Sequence, residues 1–321
     1  MPSFARAAVV LAVATLSTAT SFAAEGRFER TLPVGAPATV SISAGSGNIT
    51  VTRGAAGTVT VRGRITDNEW YGDGAAAAIR QLEQNPPIEQ QGNTVTIGKI
   101  ADESIAKKLT ISYEVTVPEA ADLTARSGSG DVIAQGIGGD ANLTSGSGSV
   151  TASDIGGALS ASAGSGDLAI DRIRGNVRAK SGSGSIRATG VGGTASAETG
   201  SGDIRVEVTG TGEVSASSGS GDLSIVGARG ALRAKAASGD VTVDGTPAAA
   251  WEVRSASGDI VLRLPPTAAF TLEARSNSGS IDTTVPVTVQ GDLPKGTLRG
   301  QVRGGGPVVT ISTASGDVTI K

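Results

Sequence analysis

The phrase Ser127-Gly128-Ser129-Gly130-Asp131-Val132 returns along the chain at a nearly constant interval. With Val132 as reference, the matching residues are Ile49, Val150, Leu168, Ile186, Ile204, Leu223, Val241, Ile260, Ile281 and Val318. Every copy has Gly two residues earlier and Ser three residues earlier. From Val132 to Ile204 the step is eighteen residues each time, and it stays between eighteen and twenty-one as far as Ile281. A fixed period of this size is the signature of a repeat architecture, in which each unit buries its apolar face only against its neighbours.

Within each period the apolar positions alternate by two. Nine and seven residues before the reference lie pairs such as Leu123/Ala125, Leu159/Ala161, Val214/Ala216, Trp251/Val253 and Val309/Ile311. Two residues after it lie Ala134, Ala152, Ile170, Ala188, Val206, Ile225, Val243, Leu262 and Ile320, with Thr283 the polar exception. Alternation by two means strands with one face inward. Each unit therefore reads as strand, Ser-Gly corner, strand, second corner, the latter often Gly-rich as in Ile137-Gly138-Gly139 and Ile155-Gly156-Gly157. Stacked, the units predict an all-β parallel β-solenoid with rungs of about eighteen residues and a thin core between two sheets. The many inward Ala fit a narrow cross-section. The corner Gly is expected to supply positive φ or a close approach to the next rung. The Ser three before the reference is expected to bond its own turn or the Ser one rung away.

The chain divides into 1–23, 24–122 and 123–321. The first segment reads as a signal peptide, with Arg6 in the n-region, an apolar run from Ala7 to Leu16, and Ser21-Phe22-Ala23 before the cleavage point. The run is too short to span a bilayer, so no stable membrane span is expected after signal removal. The second segment already holds one rung around Ile49, then a strand from Thr58 to Ile65. Ala75, Ala78, Ile79 and Leu82 at helical spacing predict a short helix, with Asp73 as N-cap and Pro86-Pro87 as stop. Thr94 to Ile97 and Leu109 to Val117 are expected to pair as a hairpin, and the helix to serve as a lid on the open end of the stack. Between Ile281 and Val318 only one corner is recognisable, which suggests a strand excursion before the last rung.

Val115-Thr116-Val117-Pro118, then Ala121-Asp122-Leu123, then the run of Ser-Gly-Ser-Gly-Asp-Val units resemble a bacterial β-strand-repeat family of unknown function. Its members often carry the label "putative adhesin". The resemblance covers nearly all of the mature chain. It implies an exported, envelope-associated β-solenoid and brings no catalytic residues to transfer.

The residue before each reference position carries the most suggestive chemistry. It is Asp at 131, 167, 203, 222, 240, 259 and 317, Ser at 149, 185 and 280, and Asn at 48. Stacked rungs would align these groups along one edge. Asp203, Asp222, Asp240 and Asp259 run consecutively, so a calcium-responsive module would bind there. Against a calcium β-roll, Asp follows Gly directly and the opposite corner is expected to lack the acid. Asp, Ser and Asn share the slot because all three accept backbone N–H bonds and cap turns. Capping is the preferred reading, and no metal or other cofactor is assigned.

The chain has no His and no Cys, which removes the usual nucleophile–base pairs, Cys/His zinc sites and disulfides. A carbohydrate-active β-helix enzyme would need a cleft that short, uniform corners do not supply. Trp251 takes an inward position, whereas Trp70 and Tyr71 beside Gly72 form a candidate contact surface. With Arg6 removed, 26 basic residues stand against 30 acidic ones, too balanced to suggest nucleic acid. Small basic spots are expected at Arg178/Lys180 and Arg233/Lys235, with Arg254 and Arg275 on the same row, as a solvated face that discourages edge pairing. The combined expectation is a non-enzymatic module, periplasmic or at the cell surface, that meets an envelope or extracellular protein or glycan.

Overall fold

The computed structural model describes residues 25–67, 75–98, 100, 109–289 and 293–321. The expected signal segment, Trp70, Tyr71 and Asp73 lie outside the described residues. Two sheets of fourteen strands face each other. One, sheet A, holds the strands that follow each Ser-Gly corner, such as Val150–Ile155, Leu168–Ile173 and Ile186–Val191. The other, sheet B, holds the strands that precede it, such as Ala141–Ser145, Leu159–Ala163 and Val177–Ser181. Pairing in the repeat is parallel, and each residue lies beside its repeat equivalent: Val150 beside Leu168, Leu159 beside Val177. The eighteen-residue period is thus the strand register itself.

The core lies between the sheets. Leu159, Ala161, Leu168 and Ile170 in one rung are all buried. The inward positions of sheet B are often Ala, as at Ala125, Ala161 and Ala179, which suits a thin, close-packed slab. The second corner adds a further inward group five residues after the reference. Ile137, Ile155, Ile173 and Val191 are buried there and close that side of the core.

Neither end follows sequence order. At the N-terminal end Thr94–Ile97 and Leu109–Val117 do not form a hairpin. Thr94–Ile97 joins sheet B, parallel to Ala38–Ala44 and antiparallel to Ile88–Gln91. Leu109–Val117 joins sheet A, parallel to Ile49–Arg53 and antiparallel to Thr58–Asp67. Both strands present an inward face matching the first rung, so each gains more by extending a sheet than by pairing with the other. The rung at 38–53 therefore lies between them and the rung at 121–135. Glu25–Pro33 then adds the antiparallel edge of sheet A.

The helix Ala75–Gln84 buries Ala75, Ala78, Ile79 and Leu82. Ile79 packs where Gly26 has no side chain, on the inward face of the edge strand. The Arg30 guanidinium donates to the carbonyls of Glu83 and Gln84 at 3.3 and 3.1 Å, satisfying the helix C-terminus. Phe28 lies over Gly63 and meets Tyr113 edge-on, with 6.4 Å between ring centroids. These two rings fill the end of the slab, with Gly63 between them making room.

The C-terminal end carries the larger departure. The last rung, Val308–Ser315 and Val318–Ile320, does not terminate the stack. It inserts between the rung of Trp251–Ser257 and Ile260–Arg263 and that of Phe270–Ser278 and Ile281–Thr283. Thr297–Val302 finishes sheet B as an antiparallel edge against Phe270–Ser278. Thr283 is exposed while Val318 and Ile320 are fully buried. The polar exception thus marks the terminal rung.

Candidate functional site

The corners are built from backbone held by short side chains. Five residues before the reference, Ser145 is buried and faces both ways: its hydroxyl donates to the Gly130 carbonyl at 2.8 Å and accepts the Gly148 N–H at 2.9 Å. Ser127, Ser181, Thr199, Ser218, Ser255, Ser276 and Thr313 donate to glycine carbonyls of adjoining rungs in the same way. This corrects the expectation placed on the Ser three before the reference. Ser129 and Ser147 are exposed at the bend, and the hydroxyl two positions earlier bridges the rungs. At Gly130, Gly148, Gly166 and Gly184 a Cβ would overlap the backbone of the neighbouring rung, so close approach explains these glycines. From Gly221 onward, Gly239, Gly258 and Gly316 also take φ near +150°.

The aligned acids act on backbone. Asp131 and Asp167 Oδ1 accept the N–H groups of Ser149 and Ser185, each at 2.8 Å. Asp203, Asp222, Asp240 and Asp259 accept those of Asp222, Asp240, Asp259 and Asp317 at 2.8–2.9 Å. Asp317 then holds the N–H and hydroxyl of Ser280, and these donations keep its carboxyl below the usual carboxylate range. One oxygen of each acid is committed to the next rung. Among the described residues no group of three or more acids is arranged to hold a metal ion.

Contrary to the expectation that it lacks acids, the opposite corner carries a shorter ladder of the same kind. Asp122, Asp140 and Asn176 accept the N–H groups of Asp140, Ala158 and Thr194 at 2.7–2.9 Å. The signal was present in sequence, ten residues before the reference, but is interrupted by Ala158 and Thr194.

Further along that corner the turn needs a left-handed residue, supplied by Gly136, Gly190 and Gly227 at φ 74°, 68° and 79°. Asp154 and Arg172 take the equivalent place at φ 56° and 54°. Both are unfavourable there without glycine. Their side chains pair two-pronged, Nε to Oδ1 at 2.7 Å and Nη2 to Oδ2 at 2.9 Å, and Arg172 also contacts Asp171. The pair lies in a groove of about 670 Å³ with Arg53, Glu119, Gln135 and Arg174. Hydrogen bonding from Arg172 lowers the Asp154 pKa.

Both sheets carry charged residues outward, and the expected basic spots lie on sheet B. Lys180 pairs with Glu198 at 2.5 Å. Glu252 receives Arg233 at 3.2 Å and Arg254 at 2.8 Å, and Arg233 first, then the other nearby cations, lower its pKa. Arg254 and Arg275 share a row as expected, but the inserted rung puts Ser312 between them. Trp251 is buried, its indole N–H donating to the Gly230 carbonyl at 2.9 Å. Chemically, the described surface offers hydrogen-bonding and charged grooves on flat faces.

The family model described as Toastrack DUF4097 matches residues 20–226 and again 157–321. No curated protein matches the chain. Among solved structures, a putative cell adhesion protein from Clostridium sporogenes is 12% identical, with 92% of this chain and 99% of that chain covered and a TM-score of 0.23. A putative adhesin from Bacteroides fragilis is 15% identical, with 92% and 97% covered and a TM-score of 0.32. At such TM-scores the likeness carries no inference of function. The two matched stretches together span almost the entire sequence, and the chain belongs to the Toastrack DUF4097 family.

Proposed function

We propose that the protein is an exported, non-enzymatic interaction module of the bacterial envelope. It meets its partner through the outer sheet faces. The observation that carries this reading is the fate of the polar groups at the corners. Every acid of the main ladder is bonded to the backbone of the next rung. What stays available is the outward side-chain set of two long sheets, suited to many weak contacts along a rod. The N-terminal composition supports export.

Protease shaving of intact cells, with fractionation, tests the reading. Loss of the mature chain to external protease is the expected result for a surface-contact role. Recovery in the cytoplasm with residues 1–23 still attached would overturn export.

A further inference from the structure

The outward row of sheet B changes character toward its C-terminal edge. Lys235, Arg254 and Arg275 project from three of four consecutive strands, with Ser312 on the fourth. Lys295 and Arg299 reach in from the strap that precedes the last rung. With Arg254 and Arg275 they line one groove of about 830 Å³. The opposing carboxylates are Glu252 and Glu273 on the neighbouring row; Glu273 lines the groove itself, opposite Arg299 in register, so four cations there face one carboxylate of the lining. Glu252 is already committed to Arg233 and Arg254. Among the described residues Lys235, Lys295 and Arg299 form no ion pair, and Arg275 donates its Nε–H to Asn277 at 3.2 Å. The full sequence has a net charge of −3, so this cluster runs against the molecule's overall sign.

Like charges gathered on neighbouring strands repel one another. A row of this kind is relieved by a ligand that supplies anions at matching intervals. Strand spacing sets the interval at about 4.8 Å or its multiples, running along the stack. Arginine forks suit carboxylate and sulfate groups. Thr297, Thr310, Ser312 and Asn277, which share the groove, suit hydroxyl-rich neighbours of those anions. No aromatic ring lines the groove, so bases have nothing to stack on. Its lining mixes charged and hydroxyl side chains with Leu293, Pro294 and Ile311, unlike the continuous apolar face that inserts into a bilayer.

We propose that this groove binds a linear acidic polysaccharide laid across the strands along the stack axis. The inference rests on the outer faces being contact surfaces and names the ligand class for one of them.

The test uses the purified mature chain with polygalacturonate and alginate as acidic probes and dextran as the neutral one. Binding to both acidic glycans, none to dextran, and loss of binding with rising salt are expected. The double variant Arg275→Glu/Lys295→Glu weakens binding by about tenfold or more with an unchanged Tm. The double variant Arg187→Glu/Arg205→Glu, on the outward face of sheet A, leaves binding unchanged. Absence of binding to either acidic glycan would overturn the proposal. So would equal loss in both variants, no loss in either, or tighter binding to single-stranded RNA or phosphatidylserine vesicles. Surface exposure by shaving without glycan binding would sink this inference alone. Glycan binding by a chain retained in the cytoplasm would sink the export reading alone.

Discussion

Gly148 and Ser147 are neighbours in one corner with opposite tolerance. A methyl on Gly148 overlaps the Gly130 carbonyl, which is backbone and cannot swing aside. Gly148→Ala should therefore cost about 3 kcal/mol, whereas exposed Ser147→Ala should stay within about 0.5 kcal/mol; urea unfolding of the two variants checks the contrast. Ser145→Ala removes a bridge between rungs and should cost about 1 kcal/mol, the low end for a buried donor left unpaired, because Ala163 and Ala236 already occupy equivalent places. The acids separate capping from metal binding. Asp240→Asn keeps the acceptor for Asp259 N–H, so it should leave the Tm unchanged, as should EDTA. A calcium site at Asp203, Asp222, Asp240 and Asp259 would instead lose stability in both experiments. Asp317 adds a pH term: its folded pKa is lowered, so its contribution is present above the unfolded value and fades as pH falls through the lowered one. Asp317→Asn should accordingly destabilise the protein near neutrality, and the difference from wild type should disappear in acid unfolding experiments run below the ordinary carboxylate range.

At the scale of elements, register was legible and order was not. The period places Val150 beside Leu168 and Leu159 beside Val177 because a parallel solenoid repeats its own face. That same equivalence hides the sequence of stacking: any rung offers nearly the same face to any other. Hence the threading of Val308–Ile320 between two earlier rungs carries no pattern of its own beyond Thr283, whose polarity fits an end position. The helix was legible from its spacing, while the antiparallel strands at both edges lie outside the repeat and its phase. Of the candidate site, the acid ladder could be read from composition at one position. Of the basic groove, the row of Arg254 and Arg275 could be read from the repeat, whereas Lys295 and Arg299 reach it only from the segment before the last rung, which lies outside the repeat. The insertion predicts how the end comes apart. Removing residues 308–321 takes out an interior rung, so Phe270–Ser278 and Ile281–Thr283 lose their parallel partners as well. Hydrogen exchange and limited proteolysis should then show loss of protection across 264–307. Loss confined to the truncation point would contradict the threading.

At the scale of the molecule, stability is close to a sum over rungs and the contacts between them. The middle of the stack, from Val132 to Ile186, repeats without change of length, and its neighbours pair residue for residue. A rung should therefore be removable if the cut respects the period. Deleting 150–167 joins Ser149 to Leu168 and leaves every remaining residue facing as before. The Ser and Asp ladders should re-form one rung shorter, because Ser181 can meet the Gly148 carbonyl as it now meets that of Gly166. The shortened chain should unfold cooperatively, with a stack shorter by about 4.8 Å in small-angle scattering. Deleting 150–166 instead leaves the chain one residue out of phase, so that corner residues compete with core residues for the same places. A one-residue slip turns an alternating strand's apolar set outward, and that variant should show local unfolding or aggregation. Equal behaviour of the two deletions would mean that the core does not enforce register, and the repeat would then be a feature of sequence without mechanical consequence.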